Sequence, residues 1–260
     1  MSNSKLATYT RISPNRTSPR KGAIRGVAIH CTAGGRNKRA RDTADLSRFT
    51  IYDRKNGASC NYAVGGDGSI ALVVPESDRA WCTSNQIDHQ LISIEVASDV
   101  DAPNRVTDAA LSVLLDLLTD ICQRNKIPRL LWRGDKALMG QWDRQNMVVH
   151  RWTKPVKACP GDYLYNLHPW IAERVNARLT GRKDDDMDIN KMLAEMTGAQ
   201  AYALYTKAIA YAAAVAEPEW SQKQGHWQRA TLRGIVDGTE PERPIKRDEV
   251  VTILGRLNLL

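Results

Sequence analysis

No run in the 260 residues approaches the roughly 18 consecutive apolar positions that a membrane-spanning helix needs, so membrane insertion is not expected. The polar, basic N-terminus also lacks the apolar stretch of a secretory signal, which points to synthesis as a soluble cytosolic chain. Cysteine is scarce. Cys31, Cys60, Cys82, Cys122 and Cys159 form an odd set without a C-x-x-C pair, which argues against a disulfide framework and leaves any functional cysteine as a metal ligand or nucleophile. No fixed-period repeat is present. With 42% hydrophobic and 25% charged positions, the chain is also neither collagenous, coiled-coil nor disordered in type.

What is present in excess is positive charge, a formal net of +8. It is unevenly placed: residues 1–180 hold 26 Lys and Arg against 17 Asp and Glu, whereas residues 181–260 hold 11 against 12. Between them, Gly181-Arg182-Lys183-Asp184-Asp185-Asp186 is polar and free of apolar residues, the composition of a linker. Three parts are therefore expected: a domain over 1–180, a linker over 181–188 and a small helical domain over 189–260. The excess charge calls for an anionic partner. Nucleic acid is not expected, because no recognition motif accompanies the charge.

The first part alternates strand-like and helix-like segments. Gly26–His30, Ser69–Val74, Leu91–Val96 and Met147–His150 are short, rich in Val and Ile and bounded by Gly, Asp or Pro, as buried strands are. From Thr107 to Arg124, apolar residues recur at helical spacing behind a Thr107 cap, and Tyr163–Leu179 reads as a second helix. The expected fold is α/β, a central mixed sheet flanked by helices, with a small all-α C-terminal domain.

His30 and His150 each close a predicted strand, and Cys159 follows His150 within Lys157-Ala158-Cys159-Pro160-Gly161. Strand ends that open into Gly- or Pro-containing loops are where sites are built on such scaffolds. Two imidazoles and a thiolate supply three of zinc's four tetrahedral positions and leave one open for water, the catalytic arrangement. Side chains alternate along a strand, so His30 is assigned to the site and Cys31 to the core. Cys122 lies on an apolar helix face and reads as core, while Cys60 and Cys82 stay open.

Four ordered blocks carry a resemblance: Val27-Ala28-Ile29-His30-Cys31-Thr32-Ala33-Gly34, Ser59-Cys60-Asn61-Tyr62-Ala63-Val64-Gly65-Gly66-Asp67-Gly68, Ile92-Ser93-Ile94-Glu95-Val96-Ala97, and Val148-Val149-His150-Arg151-Trp152 with Lys157-Ala158-Cys159-Pro160-Gly161-Asp162. Over about residues 20–180 they resemble the zinc-dependent N-acetylmuramoyl-L-alanine amidases, a family that includes peptidoglycan recognition proteins. The resemblance implies Zn2+ on His30, His150 and Cys159, lowering the pKa of a bound water to about 7 for attack on the amide between muramic acid and L-alanine. It implies Glu95 as the carboxylate that handles the water's proton and Lys157 as stabiliser of the oxyanion. Many members carry a tyrosine where this chain has Cys60, and Tyr62 is displaced by two, which shifts weight to Glu95.

In the last part, Trp220 and Trp227 lie seven apart on one helical face, and residues 225–257 loosely resemble one S-layer-homology repeat, a wall-binding module. The expected partners are the peptidoglycan substrate and an anionic wall polymer held by the C-terminal domain, with a homo-oligomer through that domain as a further expectation. An endolysin of a phage infecting a Gram-positive host is the leading role: made in the host cytoplasm, it acts on the wall after release. A wall-recycling amidase and a non-catalytic peptidoglycan binder are the alternatives.

Overall fold

A computed structural model describes residues 2–181, which lie within one unit, Met1–Asp186. The expected linker beyond Gly181 and the helical domain over 189–260 fall outside the described residues. Among the described residues eight strands are formed: β1 (Tyr9–Thr10), β2 (Arg16–Thr17), β3 (Gly26–Cys31), β4 (Tyr62–Val64), β5 (Ile70–Leu72), β6 (Arg79–Ala80), β7 (Leu91–Val96) and β8 (Met147–Val148). Five α-helices accompany them: α1 (Ala40–Ala44), α2 (Ser47–Thr50), α3 (Asp108–Arg124), α4 (His150–Thr153) and α5 (Gly161–Leu179). The main sheet has the order β1-β5-β4-β7-β3-β8, parallel except for the β4–β5 hairpin, and β2 pairs with β6 separately. The domain is thus mixed α/β with a central sheet.

The two faces of that sheet are chemically unlike, and alternation along each strand makes them so. Val27 and Ile29 of β3, Tyr62 and Val64 of β4, and Ile92, Ile94 and Val96 of β7 join one core cluster with Leu114, Leu117, Leu118 and Ile121 of α3 and Leu164, Ile171 and Val175 of α5. Truncating one of these fully buried leucines to alanine costs about 2–5 kcal/mol. The opposite face carries Ala28, His30, Ala63, Ser93 and Glu95, small or polar residues, with two lesser clusters on either side. One face is filled by hydrocarbon, and the other leaves room for polar chemistry.

The sequence-predicted elements sit close to the observed ones. Thr107 caps α3, its hydroxyl accepting from Ala110 N–H at 3.1 Å. The strand expected over Met147–His150 stops at Val148, and His150 instead opens α4. Ser69–Val74 shortens to Ile70–Leu72, because Val73 and Val74 N–H both donate to the Asn61 carbonyl, two residues against one. At the start of β3 a methyl on Gly26 would lie 2.0 Å from the Asn146 carbonyl, so only glycine lets β3 and β8 approach there. No described helix is long and apolar enough to cross a membrane.

Candidate metal centre

Parallel register brings the predicted site residues to one edge of the sheet. Ala28 is the register partner of Val148, where β8 ends, and His150 opens α4 two residues later close to His30; on its other side His30 is the register partner of Glu95. The His30 and His150 rings lie 5.2 Å apart, centroid to centroid, inclined at 65°. Cys159 reaches them on the loop between α4 and α5. That loop is stitched back onto α4: Arg151 N–H donates to the Cys159 carbonyl at 3.1 Å, and the Arg151 guanidinium holds the Ala158 carbonyl and the Asp162 carboxylate. Cys159 Sγ consequently lies 3.2 Å from His30 Nδ1.

His30, His150 and Cys159 each place a donor atom within 4.8 Å of the others. His30 is fully buried, yet its Nε2 has no partner, and the buried Nε2 of His150 has none either. Burial, followed by the neighbouring His150, lowers the His30 pKa to about 3; burial, followed by Lys157 and Lys154, lowers that of His150 to about 4. Both rings are therefore neutral at pH 7 and carry a free lone pair, the form that ligates metal. The Cys31 thiol beside it and burial hold the Cys159 thiol protonated, so metal binding there must displace a proton. Two imidazoles and one thiol with uncompensated buried nitrogens fit a zinc-type donor set.

Glu95 borders this group on the same face. Its Oε2 is buried without a partner, and Oε1 lies 4.0 Å from Cys82 Sγ. Burial raises its pKa to about 8, with Arg48 and Lys157 opposing the shift, so the carboxyl exchanges a proton near neutrality. Lys157 is exposed on the α4–α5 loop and makes no bond to the cluster, but its charge reaches both Glu95 and His150.

Two cysteines left open by the sequence border the site. Cys82 is buried within 4.8 Å of His30 and Glu95, on a loop pinned by Asp88, whose carboxylate accepts from Cys82 and Thr83 N–H, and by Thr153 Oγ1 donating to the Thr83 carbonyl. Nothing in the sequence marks it, because its placement depends on a loop closed by distant residues. Cys60 is buried in a cluster on the sheet face opposite α3, close enough for the Glu95 charge to help raise its pKa. Cys31 packs against the α3 side, as alternation requires, but at the strand's end its thiol also reaches Cys159, so it is not purely core.

Tyr62 does not belong to the site. Cys60 precedes β4, so alternation does not extend to it, and Tyr62 points to the α3 face instead of sharing a face with Cys60. Its hydroxyl donates to Glu76 Oε1 at 2.6 Å and accepts from Ser4 N–H at 2.8 Å.

A mixed sheet backed by two long helices, with a His–His–Cys group and a carboxylate at the edge where parallel strands end, defines an α/β protein whose donor set could hold a metal ion. The chain belongs to the N-acetylmuramoyl-L-alanine amidase family, whose model matches residues 20–162. Similar solved structures include PlyL (15% identity, 64% of this chain and 95% of that one, TM-score 0.41) and an AmpD derivative (18%, 65% and 96%, TM-score 0.47). Another is peptidoglycan recognition protein LE in complex with tracheal cytotoxin (19%, 62% and 91%, TM-score 0.46). No curated protein matches the chain.

Proposed function

We propose that this protein hydrolyses the amide bond between N-acetylmuramic acid and the L-alanine of the peptidoglycan stem peptide. The reading is carried by the convergence of His30 Nδ1 and Cys159 Sγ at 3.2 Å beside His150, with buried imidazole nitrogens that no protein group satisfies. Zinc held by His30, His150 and Cys159 would supply a Lewis acid that acidifies water and polarises the scissile carbonyl. Glu95, with a raised pKa, a partnerless Oε2 and a carboxylate oxygen within 4.8 Å of a His30 nitrogen, takes the proton from the attacking water and returns it to the departing L-alanine amine. Lys157, exposed beside the site, places its ammonium over the carbonyl oxygen as negative charge develops there.

Residues 189–260 act as a wall-binding module that raises the local concentration of the catalytic domain on its substrate. With that module, the role is that of a lysin of phage or prophage origin, made in the host cytoplasm and acting on the wall once released. The deciding experiment is mass spectrometry of peptidoglycan digested by the purified protein. New L-alanine amino termini are expected; new reducing sugar ends would reject the amidase reading in favour of a glycosidase.

A further inference from the structure

The end of β3 opposite His30 carries a second recess. Gly26 and His30 are four residues apart, roughly 13 Å along the strand, so this recess is separate from the metal centre. It is a cavity of about 460 Å³ with an apolar wall that includes Ile24, Ile127, Leu131 and Trp142. Arg25, Lys126 and Arg129 stand at its rim. A second hollow of about 370 Å³ continues it, shares Arg129, Leu131 and Asp143, and adds Arg133 and Arg144. Among the described residues, none of these five cations forms an ion pair, and Asp135 and Asp143 are the acidic groups along the same line.

The segment bearing the cations is held rigidly from beneath. The buried Asn146 side chain accepts from Leu131 N–H at 2.7 Å and donates to the Arg129 carbonyl at 2.8 Å. The fully buried Gln145 accepts from Arg133 and Asp135 N–H and donates to the Asp135 carbonyl at 2.7 Å. Two carboxamides that could have been apolar are spent on fixing an exposed loop, and preorganisation of this kind favours a ligand over a mobile charged fringe. Trp142 lines the cavity, is half-buried, and is fixed by packing against the cluster of Leu91 and Val148 and by its Nε1 donating to Gln90 Oε1 at 3.1 Å.

We infer that this groove is a non-catalytic binding site for the glycan strand of peptidoglycan, with Trp142 against a sugar ring and the arginines on the free carboxylates of stem peptides. A fixed indole and an apolar wall suit a pyranose better than an acyclic phosphate polymer, and guanidinium forks match carboxylates in two-point geometry. The inference rests on the amidase reading for the identity of the polymer. Holding one strand at this end of β3 while the next is cut at the other raises the effective substrate concentration without any new catalytic group.

The test uses the full chain carrying Glu95→Gln, so that substrate stays intact, and soluble glycan–peptide fragments stripped of phosphate polymers. Amide hydrogen exchange should slow over residues 126–146 as well as around the metal centre. Adding Arg129→Glu and Arg133→Glu should weaken the protection at 126–146 by about tenfold in fragment concentration and flatten its salt dependence. The same two charge reversals in the otherwise native chain should leave cleavage of a small soluble muramyl peptide unchanged. Protection confined to the metal centre, or produced at 126–146 only by poly(glycerol phosphate) or only by duplex DNA, would overturn the inference. Failure of the native chain to cleave muramyl peptides, with protection at 126–146 intact, would instead reject the amidase reading and leave the groove standing.

Discussion

Two buried polar clusters on opposite faces of one sheet show how differently evolution uses the same kinds of side chain. On the α3 face, Glu76 is fully buried, and both oxygens are taken: Tyr62 Oη and Arg124 Nη2 donate to Oε1, each at 2.6 Å, and Asn125 Nδ2 donates to Oε2 at 2.9 Å. On the opposite face, His30 Nε2, His150 Nε2 and Glu95 Oε2 are buried with no protein partner. An unpaired buried polar group costs about 1–3 kcal/mol, so the second arrangement persists only if something other than stability maintains it. The closed cluster fastens the N-terminal segment to the sheet through Ser4 N–H on Tyr62 Oη and Asn3 Oδ1 accepting from Glu76 N–H. The open one has the donor set that could hold a metal ion.

Filling the open cluster is the strongest trial of this contrast. Purified protein should contain about one zinc per chain, and His30→Ala should abolish both metal content and turnover, a loss of about a thousandfold or more in rate. Full activity in metal-stripped protein would erase the distinction between the clusters. Glu95→Gln should keep its zinc and fold while losing about a hundred- to ten-thousandfold in kcat, measured on a soluble muramyl peptide. An unimpaired rate would make Glu95 a bystander whose missing partner has no chemical meaning.

The open cluster was legible in the sequence for a physical reason. His30 and Glu95 are register partners near the ends of β3 and β7, His150 follows β8 by two residues, and Cys159 is tied to His150 by a short loop, so strand-end motifs mark His30, His150 and Cys159, while the family resemblance marks Glu95. The two long helices were equally readable from their apolar periodicity, and the strands at Gly26 and Leu91 from short Val- and Ile-rich runs that match burial on both faces of the sheet. What could not be read depends on distant contacts. Cys82 reaches Glu95 only because Asp88 and Thr153 fold its loop inward, and Tyr62 leaves the site because Glu76 receives its hydroxyl. The two-residue strands β1, β2 and β6 have no periodicity to detect, and they form only where a partner already exists.

Breaking the closed cluster should injure stability alone. Glu76→Ala removes the acceptor of Tyr62 and Asn125 and leaves Arg124 with Asp120 as its remaining acidic partner, so it should cost about 2–3 kcal/mol, read as a lower urea midpoint, with zinc content unchanged. A variant of native stability would show that the pairing is cosmetic.

His168 sharpens the boundary between the two kinds of cluster, since its Nε2 is also buried and partnerless although it lies in α5 against Trp132, with ring centroids 4.3 Å apart. Burial lowers its pKa to about 4, from 6.5 when unfolded. The unfolded state therefore binds the proton first, and stability is full above pH 6.5 and falls as pH drops towards 4, by about 3 kcal/mol. His168→Gln should flatten that part of the stability–pH curve in metal-loaded protein. An unaltered curve would assign the acid sensitivity to other groups.

The finest test separates the two clusters at a single atom. Tyr62→Phe removes only the hydroxyl that links Ser4 N–H to Glu76, leaving the ring in its core position between β4 and α3. Arg124 and Asn125 still hold Glu76, so the expected loss is about 1 kcal/mol, seen as a drop in thermal midpoint of a few degrees. Because the phenol points away from His30 and Glu95, kcat on a soluble muramyl peptide should be that of the native protein. A hundredfold loss of kcat with the midpoint unmoved would place Tyr62 in the chemistry after all, and the satisfied cluster could then no longer be told from the catalytic one by its hydrogen bonds.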